Sequence, residues 1–148
     1  MTDGRSGQLG RGVQTAWHDR PVAWPPKIGE LLPGAEDAYG VHEKLLTYSL
    51  DPDHPDGGHK ARLFRRQLEI TAADLEYLAG AILGGVKTQP ITEIRDRGEF
   101  GMHCRVVVPV HGLREHAERV VNVRTVWEVR SDGDVPRLVT AYITTKLP

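Results

Sequence analysis

The chain changes its hydrophobic period once. From about residue 38 to residue 85 apolar residues recur at intervals of three and four, the spacing of one helical face. Beyond it they alternate with polar ones, as on a strand with one buried side. Three helices are predicted before the divide. Val41, Leu45 and Tyr48, with Leu46 and Ser49, mark a helix from about Ala38 to Leu50, and "DPDHP" ends it because proline cannot continue a helix. Ala61, Phe64 and Leu68 mark a second over 59–68, whose remaining surface carries Lys60, Arg62, Arg65 and Arg66. Thr71 and Asp74 have the spacing of a capping box; Leu75, Leu78, Ala79 and Ile82 continue one stripe, and Gly84 and Gly85 read as the stop of the third helix.

Four strands are expected after the divide, at 91–96, 101–110, 119–130 and 137–145, with "SDGD" at 131–134 as a hairpin turn. The linkers are too short for parallel crossovers. An antiparallel meander follows, and with it an α+β domain of about three N-terminal helices packed on a four-stranded sheet. Parity sorts the faces. Met102, Cys104, Val106, Val108, Val121, Val123, Thr125, Trp127 and Val129 point inward, followed by Val139, Ala141 and Ile143; Leu138 points outward. His103, Arg105, Asn122, Arg124, Thr140 and Tyr142 share the open face, an order that a bulge near Pro109 would flip.

Residues 1–35 follow neither period and are rich in Gly, Pro and Arg. Two readings stand: an extended arm laid by Trp17, Trp24 and the "WPPK" segment across a domain of residues 36–148, or a disordered leader.

The composition, 39% hydrophobic and 26% charged over 148 residues, is that of one globular domain. A net charge of −1 gives the whole molecule no field to draw in nucleic acid or an anionic membrane, so such binding needs a local patch. Cys104 is the one cysteine, which excludes an internal disulfide and Cys-rich zinc patterns, suits a reducing compartment, and sits in a valine-rich strand as a core residue would. The densest apolar run, "RVVVPV", is strand-sized, and the N-terminus lacks the apolar stretch of a secretory signal, so no membrane partner is expected.

Candidate chemistry concentrates in "DPDHPDGGHKARLFRR", where an acidic turn runs into a basic helix start. There His59 stands beside unpaired backbone N–H groups able to hold a phosphate. An imidazole can take a proton from a 2′-hydroxyl or give one to a leaving 5′-oxygen, and Lys60 or an arginine can offset the charge that builds on phosphorus, with no metal and no other cofactor. The same residues also suit a solvated turn and the wet side of an amphipathic helix. The acidic turn with His54 and His59 matches neither an EF-hand loop nor a zinc signature, and there is no nucleotide-binding glycine loop or G-x-S-x-G elbow. The open sheet face, where cations and hydroxyls outnumber carboxylates, suits an anion such as a phosphodiester; it is equally the polar side that any half-buried sheet has.

"DPDHPDGGHKARLF", "VRTVWEVR" and "DVPRLVTAYI" resemble, over about residues 38–145, a bacterial domain family with the signature N/D-P-x-H-P-x-G-x-H-K-A-x-x-F, a strand tryptophan and P-x-L-x-T-x-Y. Its members occur as small stand-alone proteins and as C-terminal cassettes of polymorphic toxins. Its element order is similar to the barnase, EndoU, colicin and RelE-like group of metal-independent ribonucleases. The resemblance implies an RNA-cleaving toxin in which His59, Lys60, Arg124, Thr140 and Tyr142 are catalytic, with Trp127 matching the strand motif but falling inward by parity. Arg62, Arg66, His103, Arg105 and Asn122 would then bind substrate.

The near-neutral charge argues for a narrow target such as a tRNA loop. The implied partners are that RNA and a small acidic immunity protein or antitoxin; the implied site of action is the cytoplasm, reached by delivery from another cell if the protein is an effector. A non-enzymatic interaction module or toxin–antitoxin partner is the alternative. In either geometry His59 belongs to the helical layer and the polar face points away from it, so the two can meet only at a sheet edge or bend.

Overall fold

The computed structural model describes residues 24–131 and 134–144. Trp17 with most of the N-terminal arm, and the tip of the "SDGD" turn, lie outside the described residues.

Helix α1 (Val41–Lys44) passes into a π-helical turn, Leu45–Ser49, closed by the Leu50 N–H on the Leu45 carbonyl at 2.8 Å. The wider turn rotates the stripe expected from a uniform helix. Leu46 is 49% exposed, while Ser49 enters the core and donates its hydroxyl to the Ala141 carbonyl at 2.8 Å. Helix α2 (Gly58–Leu68) buries Ala61, Phe64 and Leu68 as their spacing requires. Burying Phe64 completely is worth about 2–3 kcal/mol. The capping box forms: the Thr71 hydroxyl accepts from the Ala73 N–H, and the Asp74 carboxylate accepts from the Thr71 N–H, opening a 3-10 turn (Ala72–Asp74) that runs into α3 (Leu75–Gly85).

Helix α3 ends at Gly85, within the glycine pair the sequence suggests as its stop, but without a left-handed glycine cap. The helix runs through Gly85 to a right-handed cap at Val86, and a Cβ on Gly85 would collide with the Val108 side chain. The glycine lets the helix end press onto the sheet.

The sheet is a meander in the order β1 (Ile91–Asp96), β2 (Met102–His111), β3 (Val120–Val129), β4 (Arg137–Ile143), every pair antiparallel. The fold is α+β with the helices ahead of the sheet, as expected. Cys104, Val106, Val108, Val123, Trp127, Ala141 and Ile143 are buried on one side, and the Trp127 indole N–H donates to the Thr125 hydroxyl, which donates to the Val106 carbonyl. The buried polar atoms of Trp127 and Thr125 are thereby satisfied.

The parity reading fails at one place. Pairing of β2 with β3 continues unbroken through Pro109, so no bulge lies there; the register slips instead between Ile91 and Glu93 and between Val126 and Trp127. In the second slip Val126 pairs with Thr140 and Trp127 with Leu138, leaving Val139 as the extra residue. Leu138 is consequently buried and Val139 only half-buried, the reverse of the expectation, while Thr140 and Tyr142 keep the outward side.

Residues 24–34 run past the start of β1, where the Gly29 N–H donates to the Ile91 carbonyl and the Ile91 N–H to the Glu30 carbonyl, both at 2.9 Å. Leu32 and Ala35 join the core. At the far side, the start of α2 and the π-helical turn lie against edge strand β4.

Candidate functional site

The register lays the outward side chains in rows. Arg95, His103, Glu128 and Arg137 face one another across the four strands; beside them run Glu93, Arg105, Val126 and Thr140, and then Val107, Arg124 and Tyr142. Part of this face bounds an open concavity of about 430 Å³, lined by Arg95, Arg97, Arg105 and Arg124 with Glu93, His103, Val126 and Tyr142. Glu93 is the single carboxylate among its described lining residues. Cations crowded on a concave wall raise the local concentration of anions even in a chain of near-zero net charge.

Two of these groups are constrained. Arg105 is half-buried, its Nε donating to the Thr92 hydroxyl at 3.2 Å and its guanidinium 3.3 Å from Glu93. His103 is half-buried, and burial first, then the charges of Arg97 and Arg137, push its pKa below the ordinary imidazole value, with Glu128 pulling the other way. Its ring is therefore neutral at neutral pH and able to accept a proton. Glu128 is buried beneath Arg137 at 2.5 Å and Arg130 at 3.0 Å; burial raises its pKa, but the two guanidinium hydrogen bonds outweigh this and hold it below the usual carboxylate range.

At the β4 edge the concavity meets the helical layer. Lys60, in the first turn of α2, extends to Thr140: its Nζ donates to the Thr140 hydroxyl at 3.4 Å and to the Tyr48 hydroxyl at 3.2 Å. The same ammonium lies 4.6 Å from the Tyr48 ring centroid and 5.0 Å from that of Tyr142. Cation–π attraction to two rings fixes a side chain that would otherwise range freely. Tyr142 belongs to both groups, so the lysine cluster and the arginine-lined concavity are continuous.

Sequence reasoning names Lys60, Arg124, Thr140 and Tyr142 as one group, and the geometry brings them together with His103 and Arg105. It does not bring His59. That ring is exposed on α2, makes no hydrogen bond among the described residues and is absent from the concavity lining. The sheet edge solves the problem of opposed layers, but for the second member of the His-Lys pair. Arg62 is exposed and reaches the Pro52 carbonyl at 3.4 Å, lining a separate cavity between α2 and the Thr71 turn. Arg66 is exposed, and its carbonyl meets the His116 ring at 3.0 Å. Asn122, opposite Pro109, is one row beyond the concavity. Trp127 and Cys104 are core, and burial pushes the Cys104 thiol up to about 11, which leaves it protonated and inert.

Four residues were missed: Arg95 and Arg97 in the lining of the concavity, and Tyr48 and His54 behind Lys60. Tyr48 looks like one more apolar position of the first helix, and His54 like a turn residue or a weak metal candidate; a tyrosine six residues before a histidine across a helix break carries no local signal. Among the described residues no group of three or more His, Cys, Asp or Glu side chains comes together in a way that could hold a metal ion. No helix among them is long and apolar enough to cross a membrane.

Residues 31–145 match a domain of unknown function, DUF6883. The chain belongs to the DUF6883 family. No curated protein and no solved structure matches it. The DUF6883 match takes in the whole concavity and the whole lysine cluster.

Proposed function

We propose that this DUF6883 protein is a metal-independent endoribonuclease of the toxin type, cleaving RNA at the arginine-lined concavity, with a structured RNA such as tRNA as the favoured substrate. The observation that carries the reading is a neutral, half-buried His103 among Arg95, Arg97, Arg105 and Arg124, bordered by Tyr142 and Lys60. In the proposed reaction His103 accepts the proton of a 2′-hydroxyl as that oxygen bonds to phosphorus. The bond to the 5′-oxygen breaks, and Tyr142, with the Lys60 charge beside its ring, returns a proton to it. Arg124 and Arg105 face the charge on the phosphorane, and Thr140 and Lys60 position the phosphate. The products are a 2′,3′-cyclic phosphate and a free 5′-hydroxyl. A small acidic immunity protein would find complementary charge on the same face.

The test is to incubate the purified protein with total tRNA and rRNA in EDTA and map the ends. Cyclic-phosphate ends made by the parent protein and lost in a folded His103→Gln variant are expected; intact RNA under all conditions overturns the reading. The alternative, a non-enzymatic interaction module, is favoured by exposed Ile28 and Leu31 beside the β1 edge, 65% and 43% accessible. It predicts intact RNA and a stable complex with another protein.

A further inference from the structure

We propose that His54 is a positioning residue for Lys60, acting through Tyr48. The role rests on the ribonuclease reading for its catalytic consequence, but not for its geometry.

The His54 ring is tied down at both ends. Its Nδ1 accepts the backbone N–H groups of Asp56 and Gly57, each at 3.0 Å, so that nitrogen carries no proton while the bonds stand and the neutral ring holds its proton on Nε2. The ring then meets Tyr48 edge-on, centroids 4.6 Å apart at 62°. The His54 backbone closes the turn as well: its N–H donates to the Asp51 carbonyl at 3.3 Å and its carbonyl accepts the Gly58 N–H at 2.9 Å.

The turn has no slack against this arrangement. A Cβ on Gly57 would lie 2.7 Å from the Tyr48 carbonyl oxygen, and one on Gly58 2.6 Å from the Pro52 carbonyl oxygen. Both glycines are therefore required by close approach of two backbones, and the helix start is pressed directly on the residue whose hydroxyl accepts from Lys60. The chain of contacts is continuous: turn N–H groups, His54, Tyr48, Lys60, and then Thr140 and Tyr142 on the sheet. A side chain as long as lysine loses much rotamer freedom when held, and the hold comes from groups that are themselves held.

A histidine that only staples the turn has a different signature from one that aims Lys60. His54→Asn keeps an acceptor for the Asp56 and Gly57 N–H groups but has no ring to set against Tyr48. Tyr48→Phe keeps the ring and removes the hydroxyl. The first readout needs no RNA: the Lys60 side-chain amine resonances by NMR. They are expected to move in both folded variants, and Lys60 resonances unchanged in folded His54→Asn overturn the proposal.

The second readout is cleavage. Each variant is expected to lower kcat about tenfold with KM unchanged, a misplaced group being costlier to the transition state than to binding. His54→Asn combined with Lys60→Met should be no slower than Lys60→Met alone, since both act through one amine. Losses that multiply overturn the proposal even if the resonances move. If the parent protein cleaves no RNA while the Lys60 resonances do shift, the ribonuclease reading falls and the positioning of Lys60 stands.

Discussion

Charged residues do two different things on the two sides of this molecule. Near the end of α2, Glu69, Asp74 and Arg114 close on one another: the Arg114 guanidinium donates to Asp74 at 2.6 Å and to the Glu69 carbonyl at 3.1 Å, and the His116 ring lies 3.7 Å from the Glu69 carboxylate. Burial raises the Asp74 pKa, but the Arg114 hydrogen bond and the capping-box N–H of Thr71 outweigh it and hold the carboxyl below its usual range. Cations and anions there balance locally, with each group serving its neighbour. On the open sheet face four arginines share a wall with one carboxylate among the described residues, Glu93, which pairs with Arg105, and Lys60 faces aromatic rings rather than acids. The first pattern ties loops to helices. The second leaves positive potential over for something outside the chain.

Substitutions on the two sides should therefore separate activity from stability. The largest effect belongs to the sheet face: His103→Gln is expected to lower RNA cleavage about a thousandfold, as loss of a general base does, with the melting temperature little changed. Because the His103 pKa is lowered, the base stays neutral below the pH at which an ordinary imidazole protonates. The acid limb of kcat/KM should accordingly fall below about pH 6.5. An acid limb above that value breaks the assignment.

Lys60→Met comes next, with about a hundredfold loss of kcat measured in the same assay and a fold that circular dichroism finds intact. Glu128→Ala tests the balanced class where it borders the concavity. It strips the buried partner from Arg130 and Arg137 and should cost about 2 kcal/mol in chemical denaturation.

Smaller again is the acid dependence of stability. Glu128 and Asp74 both have depressed folded-state values, so the stability they contribute is present above their unfolded-state pKa, near pH 4. It is lost as pH falls through the folded values. An Asp74→Asn, Glu128→Gln double variant should show a flatter decline in melting temperature below about pH 4 than the parent protein. The smallest effect is expected for His59→Ala, within about twofold in cleavage and about 0.5 kcal/mol in stability, since its ring is exposed and makes no hydrogen bond among the described residues. A large loss of activity there would erase the distinction between His59 and His103.

The elements and their order were legible in the chain because each depends on near neighbours. A three-and-four stripe closed by "DPDHP", a Thr–Asp capping box and alternation from Ile91 onward state their own local structure. Most of the open face was legible for the same reason: His103, Arg105 and Arg124 follow strand parity, and two antiparallel registers align them. Leu138 and Val139 were not, since a one-residue slip is set by how two strands fit and not by the composition of either. The helix end at Gly85 was legible, but the reason for a glycine there was not: it answers Val108, which is on another element.

The candidate site divides along that line. The sequence by itself determined that this is an α+β chain with a basic helix start and a polar, arginine-bearing sheet face, because periodicity and charge are properties of segments. Only the tertiary structure decided that Lys60 and not His59 turns the β4 edge toward Thr140 and Tyr142, that Tyr48 and His54 stand behind it, and that burial leaves His103 neutral. Those outcomes depend on distances between residues far apart in the chain, and on which side chains the packed neighbours cover; neither quantity exists until the helices have settled on the sheet.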